Sequence, residues 1–158
     1  MEAKKDEHYF HARLEWTEGE KGSTLDYQAY SRSHQVTCPG KTSVAMSSAP
    51  QYLGDPQRLN PEELMTMAVS SCQMLTYLAL ASGAGIRVLA YTDEAEGVLE
   101  KKDRKMQMTR MRLRPKIWVP AGTDREKALA LVEKAHAQCF IANSIKAEIV
   151  NQAEIVFA

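Results

Sequence analysis

NPEELMTMAVSSCQMLTYLALASGAGI, residues 60–86, carries no charged side chain from Leu64 to Ile86. Its opening is legible as a helix start: Asn60 is a good N-cap, Pro61 suits the first helical position, and Glu63 stands where a capping-box carboxylate reaches back to the cap. Gly83 and Gly85 mark its end, since glycine adopts the left-handed conformation that stops a helix. Leu64, Ala68, Cys72, Leu75 and Ala79 follow helical spacing, so we expect Cys72 to lie in an apolar stripe rather than face solvent. Twenty-three uncharged residues are formally enough to span a bilayer. Thr66, Ser70, Ser71, Gln73, Thr76, Ser82 and two glycines dilute the run, and basic flanks are weak, so a helix buried in a globule is expected and no membrane partner.

Working outward, residues 8–16, 26–37 and 42–48 read as strands separated by EGEKGS and CPGK turns, with the loop APQYLGDPQRL leading into Asn60. After the helix, residues 86–99 and 105–119 read as a long hairpin around EKKDRK. In its second arm Arg110, Arg112, Arg114 and Lys116 alternate with Met111, Leu113 and Ile117, giving a half-buried strand with one basic face. Pro115 is expected to confine that strand to an edge or a bulge. Thr123 and Glu126 form a second capping box ahead of a helix running to about Ala137, with Ala128, Leu131, Val132 and Ala135 on one face. Residues 146–157 close the chain as a strand. The order β-β-β-α-β-β-α-β makes one α+β domain over residues 1–158.

The chain has 158 residues, with twenty Lys+Arg against twenty Asp+Glu, 44% hydrophobic and 25% charged. That balance belongs to a soluble globule and gives no field to attract nucleic acid. The basic 110–116 face would bind RNA in a salt-dependent way, but it lacks interleaved aromatics, so no nucleic-acid partner is expected. MEAKKDEHYFHARLEW has no apolar core of a secretory signal, and we expect a cytoplasmic protein.

Three cysteines, Cys38, Cys72 and Cys139, match no zinc or CxxC spacing and are too few for a disulfide scaffold. A thiol is a nucleophile only as its thiolate, and an apolar helix face opposes ionisation. On composition alone a buried structural cysteine is the plainer reading of Cys72; Ser70, Ser71 and Gln73 around it are polar groups that need partners. Cys139 lies in HAQCFIANSI, where a charged helix runs out; if a new turn starts there, its free amides would favour a thiolate at Cys139. His136 and Cys139 are only two ligands, too few for zinc. Cys38, in VTCPGK, reads as an exposed turn thiol.

NPEEL, a long apolar helix with a cysteine twelve residues after the Asn, and a second cysteine in AHAQCFIANSI together resemble the OsmC/Ohr family of thiol peroxidases, over roughly residues 26–158. The resemblance implies an intertwined homodimer with antiparallel sheets around central helices. It also implies reduction of organic hydroperoxides by a cysteine pair, with Cys72 matching the peroxidatic cysteine, Cys139 the resolving cysteine and Glu62 the motif carboxylate. Lipoyl-type dithiols are the reductant it implies, with no flavin, haem or metal. For the family's arginine, Arg32 in AYSRSH is favoured over Arg58 in QRLN, because a strand places a guanidinium more rigidly than a loop. Ten residues at about 1.5 Å separate Glu62 from Cys72 by about 15 Å along one helix, so a shared site needs a partner chain. Leu64, Met65, Met67, Met74 and Leu75 are expected walls for an apolar peroxide. The SSAPQYLGDPQR stretch and Gln73 depart from the family's pattern. The rival from another class is an OsmC-like dimer that binds a small apolar ligand without turnover.

Overall fold

The computed structural model describes residues 6–19 and 22–158. It divides into two compact units, residues 1–61 and 62–158.

The first unit is built on an antiparallel meander of three short strands, β1 (Arg13–Glu15), β2 (His34–Thr37) and β3 (Val44–Met46), with Leu14 opposite Val36 and Gln35 opposite Ala45. These are shorter than the expected 8–16, 26–37 and 42–48. Residues 23–29 turn instead of extending, because Ser23 and Asp26 side chains capture the amides of Leu25 and Gln28, and Asp26 N–H bonds back to Ser23 O at 3.1 Å. Downstream, Asp55 N–H donates to Ser47 Oγ at 3.0 Å and Ser47 N–H to Leu59 O at 2.9 Å, folding the 47–59 loop back on itself. Gly54 is required there: a Cβ would lie 1.6 Å from Ser48 O.

The second unit begins with the long helix, α1 (Pro61–Gly83), followed by β4 (Ala90–Asp93), β5 (Glu96–Lys102), β6 (Lys105–Leu113), β7 (Pro115–Val119), α2 (Arg125–Gln138), β8 (Glu148–Asn151) and β9 (Glu154–Phe157). The expected two-armed hairpin is present, but each arm breaks once, so that β4-β7-β9 and β5-β6-β8 form separate sheets. The break has a local cause. Asp93 Oδ1 takes the Arg114 amide at 2.6 Å and Pro115 has no amide to offer, so the ladder is interrupted where the two meet. The closing segment splits likewise into β8 and β9, which pair in parallel with β6 and β7, while β4/β7 and β5/β6 are antiparallel.

Pro115 does not confine its strand to an edge. β7 is the middle strand of its sheet, with Pro115 as first residue, the position where a missing amide disturbs least. The basic face of Arg110, Arg112, Arg114 and Lys116 is matched by acids: Arg112 meets Glu96 at 2.5 Å, Arg114 the same carboxylate at 3.5 Å, and Lys116 Glu154 at 3.2 Å. It is a solvated ion-pair lattice.

α2 buries the expected Ala128, Leu131, Val132 and Ala135. Its cap is Asp124 rather than Thr123: Asp124 Oδ1 accepts from Lys127 N–H at 3.0 Å, while the Thr123 hydroxyl turns back to donate to Pro120 O at 2.7 Å. The burial phase of α1 also differs from expectation. Val69, Gln73, Tyr77 and Ala81 face the core, whereas Ala68, Leu75 and Ala79 of the expected stripe are exposed. A helix apolar on nearly every side gives periodicity no phase to detect.

Candidate active site

Cys72 lies midway along α1, half-buried, at the rim of a cleft of about 710 Å³ bordered by Leu75, Thr76, Leu80, Gln138 and Phe140. Cys139 is buried and caps the C-terminus of α2. Beyond it the backbone leaves the helix, and a short 3-10 turn follows at Ala142–Ser144. That turn aims amides at sulfur. The N–H groups of Phe140 and Ile141 and the Cys139 thiol lie near enough to Cys72 Sγ to favour its thiolate, and Ala142 N–H donates to Cys139 Sγ at 3.4 Å.

The two thiols therefore differ in acidity. Burial alone would raise Cys72, but the Cys139 thiol, the Ile141 and Phe140 amides and the Thr76 hydroxyl together hold it below the ordinary thiol value. Burial pushes Cys139 up to about 11, reinforced by its bond and proximity to the Cys72 sulfur. Cys72 is the more acidic thiol of the pair and Cys139 the one that holds its proton more tightly. The amides expected to favour a thiolate at Cys139 are divided between the sulfurs: Ala142 and Ile141 act on Cys139, where burial outweighs them, and Ile141 and Phe140 act on Cys72. Phe140, Ile141 and Thr76 are site residues that residue-type reasoning missed. Two act through the backbone and leave no signature in side chains; Thr76, four residues beyond Cys72 and so one turn along the same face, was open to detection.

The other expected residues are each held by local partners or by their place in the chain. Glu62 is in the first turn of α1, ten residues and about 15 Å along the helix from Cys72, and the chain does not bring the two together. Arg32 stacks on the rings of Tyr27 and Tyr30, at 4.8 and 3.8 Å from their centroids, and donates to the carbonyls of both residues. Arg32 is not on a strand; it precedes β2. Arg58 pairs with Asp55 at 3.4 Å. Cys38 is an exposed thiol in the turn between β2 and β3.

Of the expected apolar walls, Leu75 lines the Cys72 cleft. Met67 and Met74 border a different cleft of about 470 Å³, with Ser70, Tyr91 and Asp93, and Met65 packs against the core around Val69. Tyr91 there is held protonated by burial and by the Asp93 carboxylate. Among the described residues no group of three or more His, Cys, Asp and Glu side chains is arranged to hold a metal.

The OsmC-like protein family matches residues 54–154, the stretch that carries both cysteines. The chain belongs to the OsmC-like family. It is 30% identical over 90 residues to the peroxiredoxin OsmC of Escherichia coli K12, a match spanning 57% of this chain and 62% of that protein, less than two thirds of the relative's length. A solved OsmC-like protein of unknown function from Vibrio cholerae is 30% identical, with a TM-score of 0.84 over 95% of this chain and 100% of that one. An organic hydroperoxide resistance protein OsmC from Legionella pneumophila shares the fold, with a TM-score of 0.70 at 19% identity over 96% of this chain and 98% of that one. The α+β architecture is thus the OsmC-like fold.

Proposed function

We propose that this protein is a cysteine-based peroxidase that reduces organic hydroperoxides, working as a homodimer. One observation carries the reading: a thiol held below its ordinary acidity range, Cys72, opens onto an apolar-walled cleft with a second, buried and less acidic thiol, Cys139, beside it. The Escherichia coli and Legionella pneumophila relatives, named as a peroxiredoxin and an organic hydroperoxide resistance protein, support it.

In this mechanism the Cys72 thiolate attacks the terminal oxygen of the hydroperoxide. The O–O bond breaks, sulfur is oxidised to sulfenic acid, and the departing alkoxide takes a proton and leaves as alcohol. The Cys139 thiol, already in contact, then condenses with the sulfenic acid, forming the Cys72–Cys139 disulfide and releasing water. A small dithiol of lipoyl type reopens the disulfide by exchange and is itself oxidised to a cyclic disulfide. Leu75, Leu80 and Phe140 suit an apolar substituent on the peroxide better than hydrogen peroxide itself. Glu62 and Arg32 are proposed to complete the site across the dimer, where a carboxylate and a guanidinium orient the peroxide.

Titration of the purified protein with stoichiometric cumene hydroperoxide tests this. The expected result is loss of two thiols, recovered by dihydrolipoamide, and no peroxide consumption by Cys72→Ser. Unchanged thiols after a stoichiometric addition would overturn the reading and leave the cleft as a binding site for a small apolar ligand.

A further inference from the structure

Gln73 follows Cys72 directly and is almost wholly buried, 1% exposed, in the middle of the core-facing side of α1. Its Nε2 donates to the carbonyl of Val132, 59 positions further on in α2, at 3.0 Å. Its Oε1 is buried with no hydrogen-bond partner among the described residues. One turn along α1, the Tyr77 hydroxyl donates to Ala128 O, one turn back along α2, at 3.2 Å. As α1 advances from 73 to 77, α2 retreats from 132 to 128, so the helices run antiparallel and these two bonds fix their register in steps of one turn.

Register matters here because the two partners in the chemistry ride on the two helices. Cys72 is on α1; the turn bearing the Phe140 and Ile141 amides is carried at the end of α2. Sliding or rotating one helix against the other withdraws the amides from the sulfur. An apolar side chain at 73 would fill the same space, yet packing alone sets register less sharply than a directional bond does. The buried, unpartnered Oε1 opposes folding. Val132 O does not need Gln73, since it lies within α2, where the helix's own ladder uses it. A stabilising core would do without the amide, which points to a role in placing Cys72.

Resting on the peroxidase reading above, we infer that Gln73 is a positioning residue: its bond to Val132 O holds α1 against α2 in the register that sets the Cys72 sulfur beneath the Phe140 and Ile141 amides. It touches neither substrate nor reacting atoms.

The test is Gln73→Met, of similar length and apolar, in the full-length protein with Cys38→Ser to remove the exposed thiol. The pH dependence of Cys72 alkylation by iodoacetamide is followed by peptide mass, beside thermal melting. The expected result is a melting temperature equal to or above that of the parent, with the alkylation midpoint of Cys72 raised by about one pH unit. Tyr77→Phe, which removes the neighbouring tie, is expected to move the midpoint the same way by less. Should Gln73→Met not fold, Gln73→Asn, whose amide falls one methylene short of Val132, carries the test with the same expected direction. A folded Gln73 variant with an unchanged midpoint would overturn the inference and make Gln73 a packing residue. Alkylation needs no peroxide, so the outcomes separate: a raised midpoint in a protein that consumes no cumene hydroperoxide keeps the positioning role and rejects the peroxidase reading.

Discussion

A sulfur in the middle of an apolar helix is made more acidic here by the Cys139 thiol and the turn after α2, while burial and the Cys72 sulfur make Cys139 hard to ionise. Of the two protons, the one on Cys139 is held more tightly. The signs of the pH effects follow. Cys139 is raised in the folded state, so its contribution to stability is fully present below the ordinary thiol value and is lost as pH rises through about 11. Cys72 is lowered, so its contribution is present above the ordinary value and is lost as pH falls through its folded pKa. Cys139→Ala removes this share of the alkaline loss and the neighbouring thiol that acts on Cys72. In a Cys38→Ser background we expect urea midpoints that fall less steeply from pH 9 toward about 11, a thiolate absorbance whose titration midpoint moves upward, and sulfenic acid that persists after one equivalent of hydroperoxide. An unmoved Cys72 midpoint would mean that the amides act without the second thiol.

At the scale of elements, α2 delivers the turn that activates Cys72, so its ends bear on the chemistry. Its N-cap bond from Lys127 N–H to Asp124 is a local stabiliser, and Asp124→Ala is expected to cost about 1 kcal/mol, read from urea denaturation. Thr123→Ala should leave that cap intact, because Thr123 bonds to Pro120 O instead. Much of this was legible in the chain: Asn60-Pro61 and Gly83 bound α1, and the 128, 131, 132 and 135 spacing identifies the buried face of α2. What escaped has a common physical origin in long-range or backbone partners. The break between β6 and β7 depends on Asp93 reaching Arg114, 21 positions away, and the extended reading of 26–33 fails because Asp26 satisfies amides locally. The burial phase of α1 could not be taken from a run apolar on both sides; the bond from Gln73 to a backbone carbonyl fixes it. For the site, Cys72 and Cys139 were readable as residue types, and the amides that separate their acidities were not.

For the whole molecule, the side of α1 opposite Gln73 is apolar and open to solvent in the single chain. Ala68, Leu75 and Ala79 are exposed there, with Leu75 at 60% and the Phe140 ring beyond it at 82%. Contiguous apolar surface on a helix that also carries the thiolate is the mark of an interface. The homodimer proposed above supplies the cover, and it answers the distance between Glu62 and Cys72, since a two-fold axis lets each chain lend the other what its own helix holds about 15 Å away. Ala68→Glu tests this outside the Cys72 cleft, because Ala68 does not border that cavity. The parent is expected to run as a dimer by light scattering at micromolar concentration and Ala68→Glu as a monomer. Because the amides on Cys72 belong to its own chain, the monomer should keep a thiolate midpoint below the ordinary value. Its turnover of cumene hydroperoxide should fall by roughly a hundred-fold, the usual cost of removing a preorganised charged partner. A monomeric variant with full turnover would show that one chain holds a complete site, and Glu62 and Arg32 would then have no part in it.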